Sequence, residues 1–194
     1  MNLKTSPRKT ALRQKAQLMS ASEIERTLVR LAYEIVEKND GIKGLGLIGI
    51  RRRGVPLAQR LGKIIARIDN AEVPVGTLDI TFYRDDLSTL GPKPVVQEGK
   101  IEFSIEDKNI VLVDDVLFTG RTVRAAMDAL FSHGRPRRVQ LCVLIDRGHR
   151  ELPVEASFVG RNVQTTMNEV IEVKLTEIDD AEKVLLMEKY CLLY

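Results

Sequence analysis

Residues 110–122 constrain the fold of this chain more than any other segment does. Four apolar residues, Ile110–Val113, lead directly into the adjacent carboxylates Asp114 and Asp115. A short continuous apolar run of this kind is typical of a buried strand in a parallel sheet. Open α/β sheets bind ligands outside the carboxyl ends of their strands, so both carboxylates are predicted to lie at a binding edge. Because adjacent strand residues point to opposite faces, we expect them to serve different purposes.

The sequence Thr119-Gly120-Arg121-Thr122 follows the carboxylates and predicts a site for a phosphate group. Backbone N–H groups, two hydroxyls and the positive end of a helix dipole favour a dianion where a loop enters a helix. Carboxylates that accept hydrogen bonds from a sugar's hydroxyls complete a pocket for a ribose 5-phosphate. The alternative is an ordinary strand-to-helix loop with an aspartate cap, which accounts for one aspartate but not for both.

Hydrophobic periodicity places this strand in an α/β fold. Helices are expected to begin at Ser22, Pro56, Thr122 and about Asp179, the first of them with a capping box formed by Ser22 and Glu25. Strands are expected at 45–50, 73–82, 109–113, 138–145, 157–159 and 170–175. This alternation predicts a mostly parallel sheet with helices on both faces. The long polar stretch 83–107 inside it is typical of a lid or binding loop.

Gly44, Gly46 and Gly49 spell G-x-G-x-x-G, the pattern of a dinucleotide-binding turn. In that turn the glycines follow a strand and precede a helix whose N-terminus holds pyrophosphate. Here apolar residues alternate with the glycines, so we expect the glycines to lie inside a strand. The pattern therefore does not indicate nicotinamide binding, and the chain has no Walker A motif.

Charge is unevenly distributed along the chain, which has 30 Lys and Arg and 27 Asp and Glu residues. Residues 1–20 carry five basic side chains and no acidic one, which leaves 25 basic and 27 acidic side chains in the remaining 174 residues. Net charge therefore does not mark the body of the chain as a nucleic-acid binder. We expect residues 1–20 to form a basic, mobile arm and residues 21–194 to form one domain.

Several other protein classes are disfavoured by the sequence. No apolar run approaches the ~20 residues of a membrane span, and the basic N-terminal segment lacks the apolar core of a secretory signal. Cys142 and Cys191 are not in a C-x-x-C spacing, so we expect two inert thiols in a reducing compartment. The expected location is the cytoplasm, without membrane contact.

Four motifs together resemble a known protein family. Val113–Thr122 is similar to the phosphoribosyl-pyrophosphate motif of the type I phosphoribosyltransferases. Gly49–Gly54, Asp79–Leu87 and Asp146–Pro153 resemble the PyrR family, whose members are pyrimidine-operon regulators and also uracil phosphoribosyltransferases. The similarity spans about residues 22–175. It implies the type I phosphoribosyltransferase fold, with a mostly parallel central sheet, a flexible active-site loop at about 83–107 and a small base-binding hood.

The resemblance implies the reaction of uracil with phosphoribosyl pyrophosphate to give UMP and pyrophosphate. Asp114 and Asp115 would be the catalytic pair, and Arg147 and Ile171 would flank the nucleotide and base. Mg²⁺ would be held mainly by substrate oxygens and water, so a permanent metal site on the protein is not expected. The residues implied in binding phosphoribosyl pyrophosphate are Arg52, Arg53, Arg84, Asp114, Asp115, Val116, Leu117, Phe118, Thr119, Gly120, Arg121 and Thr122.

The resemblance also implies UMP-responsive binding to a pyrimidine-operon leader RNA, and assembly into dimers or larger homo-oligomers. Val29 and Tyr33 depart from the family pattern of Thr and His on the first helix, so RNA specificity could be relaxed or lost. A transferase without specific regulation, a regulator with vestigial catalysis, and transfer to hypoxanthine or guanine stay open. The residues implied in RNA binding are Arg26, Arg30, His149, Arg150 and Arg161.

Overall fold

The computed structural model describes residues 10–80 and 99–191. The strands are β1 (Thr10–Ser20), β2 (Leu45–Ile50), β3 (Val75–Leu78), β4 (Asn109–Leu117), β5 (Arg138–Asp146), β6 (Phe158–Asn162), β7 (Glu169–Lys174) and β8 (Lys183–Cys191). The helices are α1 (Ala21–Lys38), α2 (Gly54–Asp69), α3 (Arg121–Phe131) and the single turn α4 (Thr176–Asp179). The α/β class expected from the sequence is confirmed.

A five-stranded sheet with the order β3-β2-β4-β5-β6 forms the centre of the molecule, and each neighbouring pair is parallel. β2 is buried along its whole length. One apolar core contains side chains of α1 and α2, and a second core contains side chains of α3. Because the strands share one direction, their carboxyl ends meet at the same edge, which is where the predicted ligand residues lie.

Two glycines bring α2 into close contact with the sheet. A Cβ on Gly49 would lie 2.5 Å from Val55 Cα, and one on Gly54 would lie 2.2 Å from the Val113 carbonyl oxygen. Gly49 and Gly46 lie within β2, as the sequence predicts, whereas Gly44 lies just before the strand with φ +75°. These glycines therefore allow close backbone packing, and the start of α2 lies directly against β2 and β4.

A second sheet, with the order β1-β8-β7, is antiparallel and is termed the hood together with α4. The expectation of a mobile arm at residues 1–20 is wrong for Thr10–Ser20, because these residues form β1. β1 pairs with β8 along its whole length: Thr10 lies opposite Cys191, and Ser20 lies opposite Lys183. β1 obtains its ladder hydrogen bonds from a strand at the other end of the chain. A count of basic residues cannot reveal such a distant pairing.

The expected C-terminal helix from about Asp179 is also wrong, because α4 is a single turn and Lys183–Cys191 form a strand. Val184 and Leu185 are both buried there. A short apolar run fits a helix or a strand equally well in isolation. Here β8 becomes a strand because β1 and β7 flank it on both sides and complete its hydrogen bonding.

The capping box of α1 is displaced by two residues from its predicted place at Ser22 and Glu25. The Ser20 backbone N–H and its hydroxyl each donate to Glu23 Oε2 at 2.8 Å, and the helix begins at Ala21. The predicted start at Ser22 is therefore too late, because β1 runs directly into the cap. These bonds lower the pKa of the Glu23 carboxyl to about 2.

A buried carboxylate fixes β1 to the rest of the hood. Lys15 Nζ donates to Glu169 Oε1 at 2.5 Å, and the Thr166 N–H donates to Glu169 Oε2 at 2.7 Å. The Glu169 side chain is 6% exposed, whereas that of Lys15 is 51% exposed. The bond from Lys15 is the largest cause that lowers the pKa of Glu169, to about 2. β1 is thus attached by side chains as well as by its ladder.

We predict that Glu169→Gln lowers the melting temperature at neutral pH, because the ion pair with Lys15 is lost. The pKa of Glu169 is lower in the folded state, so its contribution is present above about 4.5 and is lost as the pH falls towards 2. The gap between variant and wild type should therefore close over that range in thermal denaturation followed by circular dichroism. Glu188→Gln, which removes the more exposed pair with Arg13, is the matched control and should have a smaller effect. Equal melting temperatures for Glu169→Gln and wild type at neutral pH would contradict the prediction.

Candidate active site

Two carboxylates lie at the carboxyl end of β4, the central strand of the parallel sheet. Asp114 is buried and Asp115 is partly buried. Asp114 Oδ1 accepts the Asp115 N–H at 2.9 Å, and Asp115 Oδ1 accepts the Val116 N–H at 3.0 Å. Burial raises the pKa of both carboxyls, and the charge of Asp115 raises that of Asp114 further. Burial therefore disfavours the charged form of both carboxyls, and a cation or hydrogen-bond donor that reaches the pair would stabilise that form.

The residues after the pair form a loop into α3. Val116 and Leu117 complete β4, Phe118–Gly120 form the loop, and Arg121 and Thr122 open the helix. Gly120 is the N-cap with φ +92°, a conformation that favours glycine, and the Arg121 N–H donates to Thr119 Oγ1 at 3.4 Å. The first amides of an α-helix have no partner within the helix, and together with the positive end of this 11-residue helix they favour an anion at this point. Phe118–Thr122 are termed the phosphate loop.

The segment after β5 forms the wall of the phosphate loop. The N–H groups of Glu151 and Leu152 donate to the Thr119 carbonyl at 2.9 and 3.1 Å. Glu151 also accepts from Arg121 Nε at 2.7 Å. A Cβ on Gly120 would lie 3.3 Å from side-chain atoms of Leu152, so the wall is in tight contact with the loop.

Arg150 supports this wall from inside the fold. Its guanidinium donates to the carbonyl of Phe118 at 3.0 Å and to that of Val154 at 3.0 Å, and it pairs with Asp146. Arg150 is partly buried, and its guanidinium is bonded to these groups within the fold; its RNA contact stays a prediction. Local spacing carries no signal for these bonds, because the bonded carbonyls come from separate segments.

The three arginines after β2 have different environments. Arg51 pairs with Asp79 at 3.0 Å, and Arg53 donates to both carboxylate oxygens of Asp179 at 2.7 and 3.1 Å. Arg52 is exposed and, with Arg51, lines an open cavity of about 700 Å³. β2 is paired with β4, so the arginines lie next to the two carboxylates. The positive charge of Arg53 counteracts the effect of burial on the pKa of Asp115.

Arg147 is buried and bonded to the hood. Its guanidinium donates to Thr165 Oγ1 at 3.1 Å and to the carbonyls of Thr166 and Glu169 at 3.1 and 2.7 Å. The guanidinium carbon lies 4.1 Å from the centre of the Phe118 ring, a cation–π contact. Burial lowers the pKa of Arg147. Arg147 thus joins the hood to the phosphate loop.

The other residue predicted to flank the base, Ile171, is buried on β7 within the hood. His149 is exposed with φ +60°. Its Nε2 lies 2.6 Å from the Thr165 carbonyl, and its ring contacts the edge of the Phe118 ring. His149 therefore lies beside the phosphate loop, together with Arg147.

The remaining residues predicted to bind RNA share one face, formed by α1 and β6. Arg30 donates to the carbonyls of Val159 and Gly160 at 3.1 and 2.6 Å, and Arg161 pairs with Glu23 at 3.2 Å. Arg26 is exposed on the same helix. The exposed residues Val29 and Tyr33 continue the stripe at helical spacing. This set is termed the α1/β6 face: Arg26, Val29, Arg30, Tyr33 and Arg161.

Two predictions concern residues only partly covered by the structure. Arg84 lies outside the described residues, as do positions 83–98 of the expected loop. Positions 99–107 are described; there, the Lys100 N–H donates to Thr77 Oγ1 and the Thr77 N–H donates to the Lys100 carbonyl, both at 3.0 Å. This part of the loop therefore lies along β3.

The described part of the chain bears on two protein classes, metal-binding proteins and membrane-spanning proteins. Within residues 10–80 and 99–191, no group of three His, Cys, Asp or Glu side chains is placed to hold a metal ion. No helix in these ranges is both long and apolar enough to cross a membrane.

Comparison with known proteins identifies the family. Residues 15–177 match the phosphoribosyl transferase domain. The chain is 58% identical over 178 residues to the bifunctional protein PyrR of Thermus aquaticus, covering 92% of this chain and 98% of the relative. This chain belongs to the PyrR family. The bifunctional protein PyrR of Deinococcus radiodurans is 51% identical over 174 residues, with 90% of this chain and 95% of the relative covered.

Solved structures of more distant proteins share the fold of this PyrR family member. The hypoxanthine phosphoribosyltransferase of Trypanosoma cruzi superposes with a TM-score of 0.68 at 18% identity, covering 91% of this chain and 98% of that one. A hypoxanthine-guanine phosphoribosyltransferase from Bacillus anthracis gives 0.65 at 19% identity, covering 91% and 99%. The family and the phosphoribosyltransferase fold inferred from the motifs are therefore confirmed.

We predict that Arg150→Gln loosens the phosphate loop, because the charged hydrogen bonds to the Phe118 and Val154 carbonyls are lost. Removing such bonds costs roughly 1.5–3 kcal/mol. Hydrogen–deuterium exchange should show faster exchange at residues 118–121, and the free energy of unfolding should decrease. Arg26→Gln, at an exposed position, is the control and should match wild type in both measurements. Unchanged exchange at residues 118–121 in Arg150→Gln would refute the supporting role.

Proposed function

We propose that this chain is a uracil phosphoribosyltransferase that transfers ribosyl 5-phosphate from phosphoribosyl pyrophosphate to N1 of uracil. The observation that carries the proposal is the alignment of three subsites along one sheet edge. The arginines after β2 suit a diphosphate, and the carboxylates of β4 suit the two hydroxyls of a ribose. The phosphate loop suits a 5′-phosphate. Membership of the PyrR family supports uracil as the acceptor.

In the proposed reaction, the bond between N1 of uracil and C1′ forms and the bond between C1′ and the diphosphate oxygen breaks. The N1 proton of uracil is released, and the electron pair of the broken bond leaves with pyrophosphate. Asp114 and Asp115 accept hydrogen bonds from the ribose hydroxyls, and amides of the phosphate loop hold the 5′-phosphate. No nucleophilic side chain is required, so catalysis consists of orientation and charge stabilisation.

The cations of the site would bind the leaving diphosphate. Arg52, Arg53 and Arg84 are the proposed contacts, and Arg guanidiniums suit phosphate oxygens because they donate in a fixed planar fork. Mg²⁺ fits the donor set, since Asp114 and Asp115 offer the hard oxygen ligands that it prefers. When bound, it would neutralise diphosphate charge, with substrate oxygens and water completing its shell.

We also propose that the α1/β6 face binds pyrimidine-operon leader RNA in response to UMP. Arg26, Arg30 and Arg161 present positive charge for phosphates, and Tyr33 offers a ring on which a base could stack. The relatives are named bifunctional, which supports a second activity. The same proposal includes a homo-oligomeric protein located in the cytoplasm. Residues 1–9, which are basic, would add non-specific attraction to RNA.

The transferase proposal is tested by turnover of phosphoribosyl pyrophosphate with uracil, cytosine and hypoxanthine in parallel. We expect UMP formation with uracil and at least tenfold lower turnover with the other bases. Asp115→Asn removes the charged acceptor, so kcat/KM for phosphoribosyl pyrophosphate should drop roughly 10- to 100-fold. Asp128→Asn, on the exposed face of α3, is the control and should retain wild-type turnover. Turnover with hypoxanthine alone would overturn the uracil assignment.

The regulatory proposal is tested by binding of the leader RNA and a scrambled RNA, each with and without UMP. We expect UMP to strengthen binding to the leader RNA only. Arg26→Gln should weaken binding and reduce the slope of log affinity against log salt by about one, because one phosphate contact is lost. Arg124→Gln, on α3 away from the α1/β6 face, is the matched control. Equal affinity for both RNAs would reduce the interaction to general electrostatic attraction.

A further inference from the structure

The segment Leu175–Glu182 connects β7 to β8 and crosses from the hood to the site. Leu175 is fully buried, and its N–H donates to Asp179 Oδ2 at 3.1 Å. Leu175 is the N-cap of α4 and Asp179 is its last residue, so this bond closes the single turn. The segment is termed the strap. Its carboxylate at Asp179 is thereby held in one orientation by the backbone.

Asp179 binds an arginine of the proposed diphosphate subsite. Arg53 Nε donates to Asp179 Oδ2 at 3.1 Å, and Arg53 Nη2 donates to Asp179 Oδ1 at 2.7 Å. The two side chains are 28% and 18% exposed, so the pair is largely shielded from water. A planar two-point contact fixes the orientation of the guanidinium as well as its position. The remaining N–H groups of Arg53 are left for an anion.

The backbone places Arg53 beside the ribose carboxylates. Gly54 follows Arg53, and a Cβ on Gly54 would lie 2.2 Å from the Val113 carbonyl oxygen and 3.3 Å from Asp114 Cα. Arg53 therefore enters α2 directly against the end of β4. Its charge partly offsets the rise that burial causes in the pKa of Asp115.

A second ion cluster holds the strap at its other side. Arg60 on α2 donates to both carboxylate oxygens of Glu177 at 2.8 and 2.7 Å and to both of Glu182 at 2.5 and 2.9 Å. It also donates to Thr176 Oγ1 at 3.2 Å. The strap is thus held by Arg53 and by Arg60. The Arg53–Asp179 contact lies at the end of β4, and Glu177 also lines the cavity beside Arg51 and Arg52, whereas Glu182 does not line it.

We propose that Asp179 is a positioning residue of the transfer reaction, because it orients Arg53 next to Asp115 before the diphosphate arrives. Holding the guanidinium in place removes the entropy cost of ordering a long side chain when the ligand binds. Asp179 acts on the diphosphate through Arg53 and does not touch the reacting atoms. The inference rests on the proposed transferase function and adds a residue outside every motif in the sequence.

The test compares Asp179→Asn with wild type in both directions of the reaction. We expect KM for phosphoribosyl pyrophosphate, and KM for pyrophosphate in the reverse direction, to rise roughly tenfold. KM for uracil and the affinity for UMP should stay within about twofold, since neither ligand contains the diphosphate. Glu182→Gln, which weakens the Arg60 attachment of the same strap at a residue that does not line the cavity, is the matched control and should leave all four constants within about twofold.

A double-mutant cycle separates positioning from general support of the fold. If Asp179 acts through Arg53, Asp179→Asn adds no further loss of pyrophosphate affinity in the Arg53→Gln background. Asp179→Glu keeps the charge and should recover part of the affinity, and it remains informative if Asp179→Asn folds poorly. An undiminished effect of Asp179→Asn in the Arg53→Gln background, or a parallel loss of uracil affinity, would overturn the proposal.

Calorimetric titration with inorganic pyrophosphate keeps this inference apart from the transferase proposal. Wild type that binds pyrophosphate but produces no UMP from uracil would refute the transferase function. Unchanged pyrophosphate affinity in Asp179→Asn would refute the positioning role alone. A roughly tenfold loss of affinity in Asp179→Asn, absent in Glu182→Gln, supports it.

Discussion

The pairing of β4 with β2 on one side and β5 on the other is the constraint on which the site depends. Parallel pairing brings the ends of the strands to one edge, where the loops that follow them lie side by side. The close approach of Gly54 to Val113 then holds the start of α2 directly against β4. The arginines are therefore held next to Asp114 and Asp115, and the phosphate loop lies beyond them.

Around this edge, buried charges are paired or hydrogen-bonded, which is what their desolvation requires. Arg147 and Arg150 use backbone carbonyls to join the hood and the wall to the phosphate loop. Arg53 and Arg60 attach the strap to α2. These four arginines thus form hydrogen bonds within the fold, and for Arg53 this is compatible with the proposed contact to a diphosphate. Clusters of arginines in the sequence indicate where the site lies, whereas the hydrogen-bond partners of each arginine in the fold determine its role.

Much of the site was predictable because its residues are consecutive or follow a strand. To predict the site residues from Asp114 to Thr122, it was enough to recognise the apolar run before them and the helix start after them. The parallel strands of the central sheet were equally predictable from the sequence, since each is a short apolar run. The hood was not predictable in this way. In the sequence alone, β1 resembles a basic arm and β8 resembles a helix, and both become strands by pairing with each other. The pairing depends on contact between the two ends of the chain, which local patterns do not encode.

The sequence by itself determined the α/β class and the strand, loop and helix that carry the predicted binding residues, because short-range rules govern a buried strand and the helix after it. The motifs also determined the PyrR family. Tertiary structure alone decided that residues 10–20 belong to the hood, that Arg150 donates to backbone carbonyls and that Asp179 binds Arg53. These outcomes depend on hydrogen bonds between groups far apart in sequence, and only the folded chain brings those groups within bonding distance.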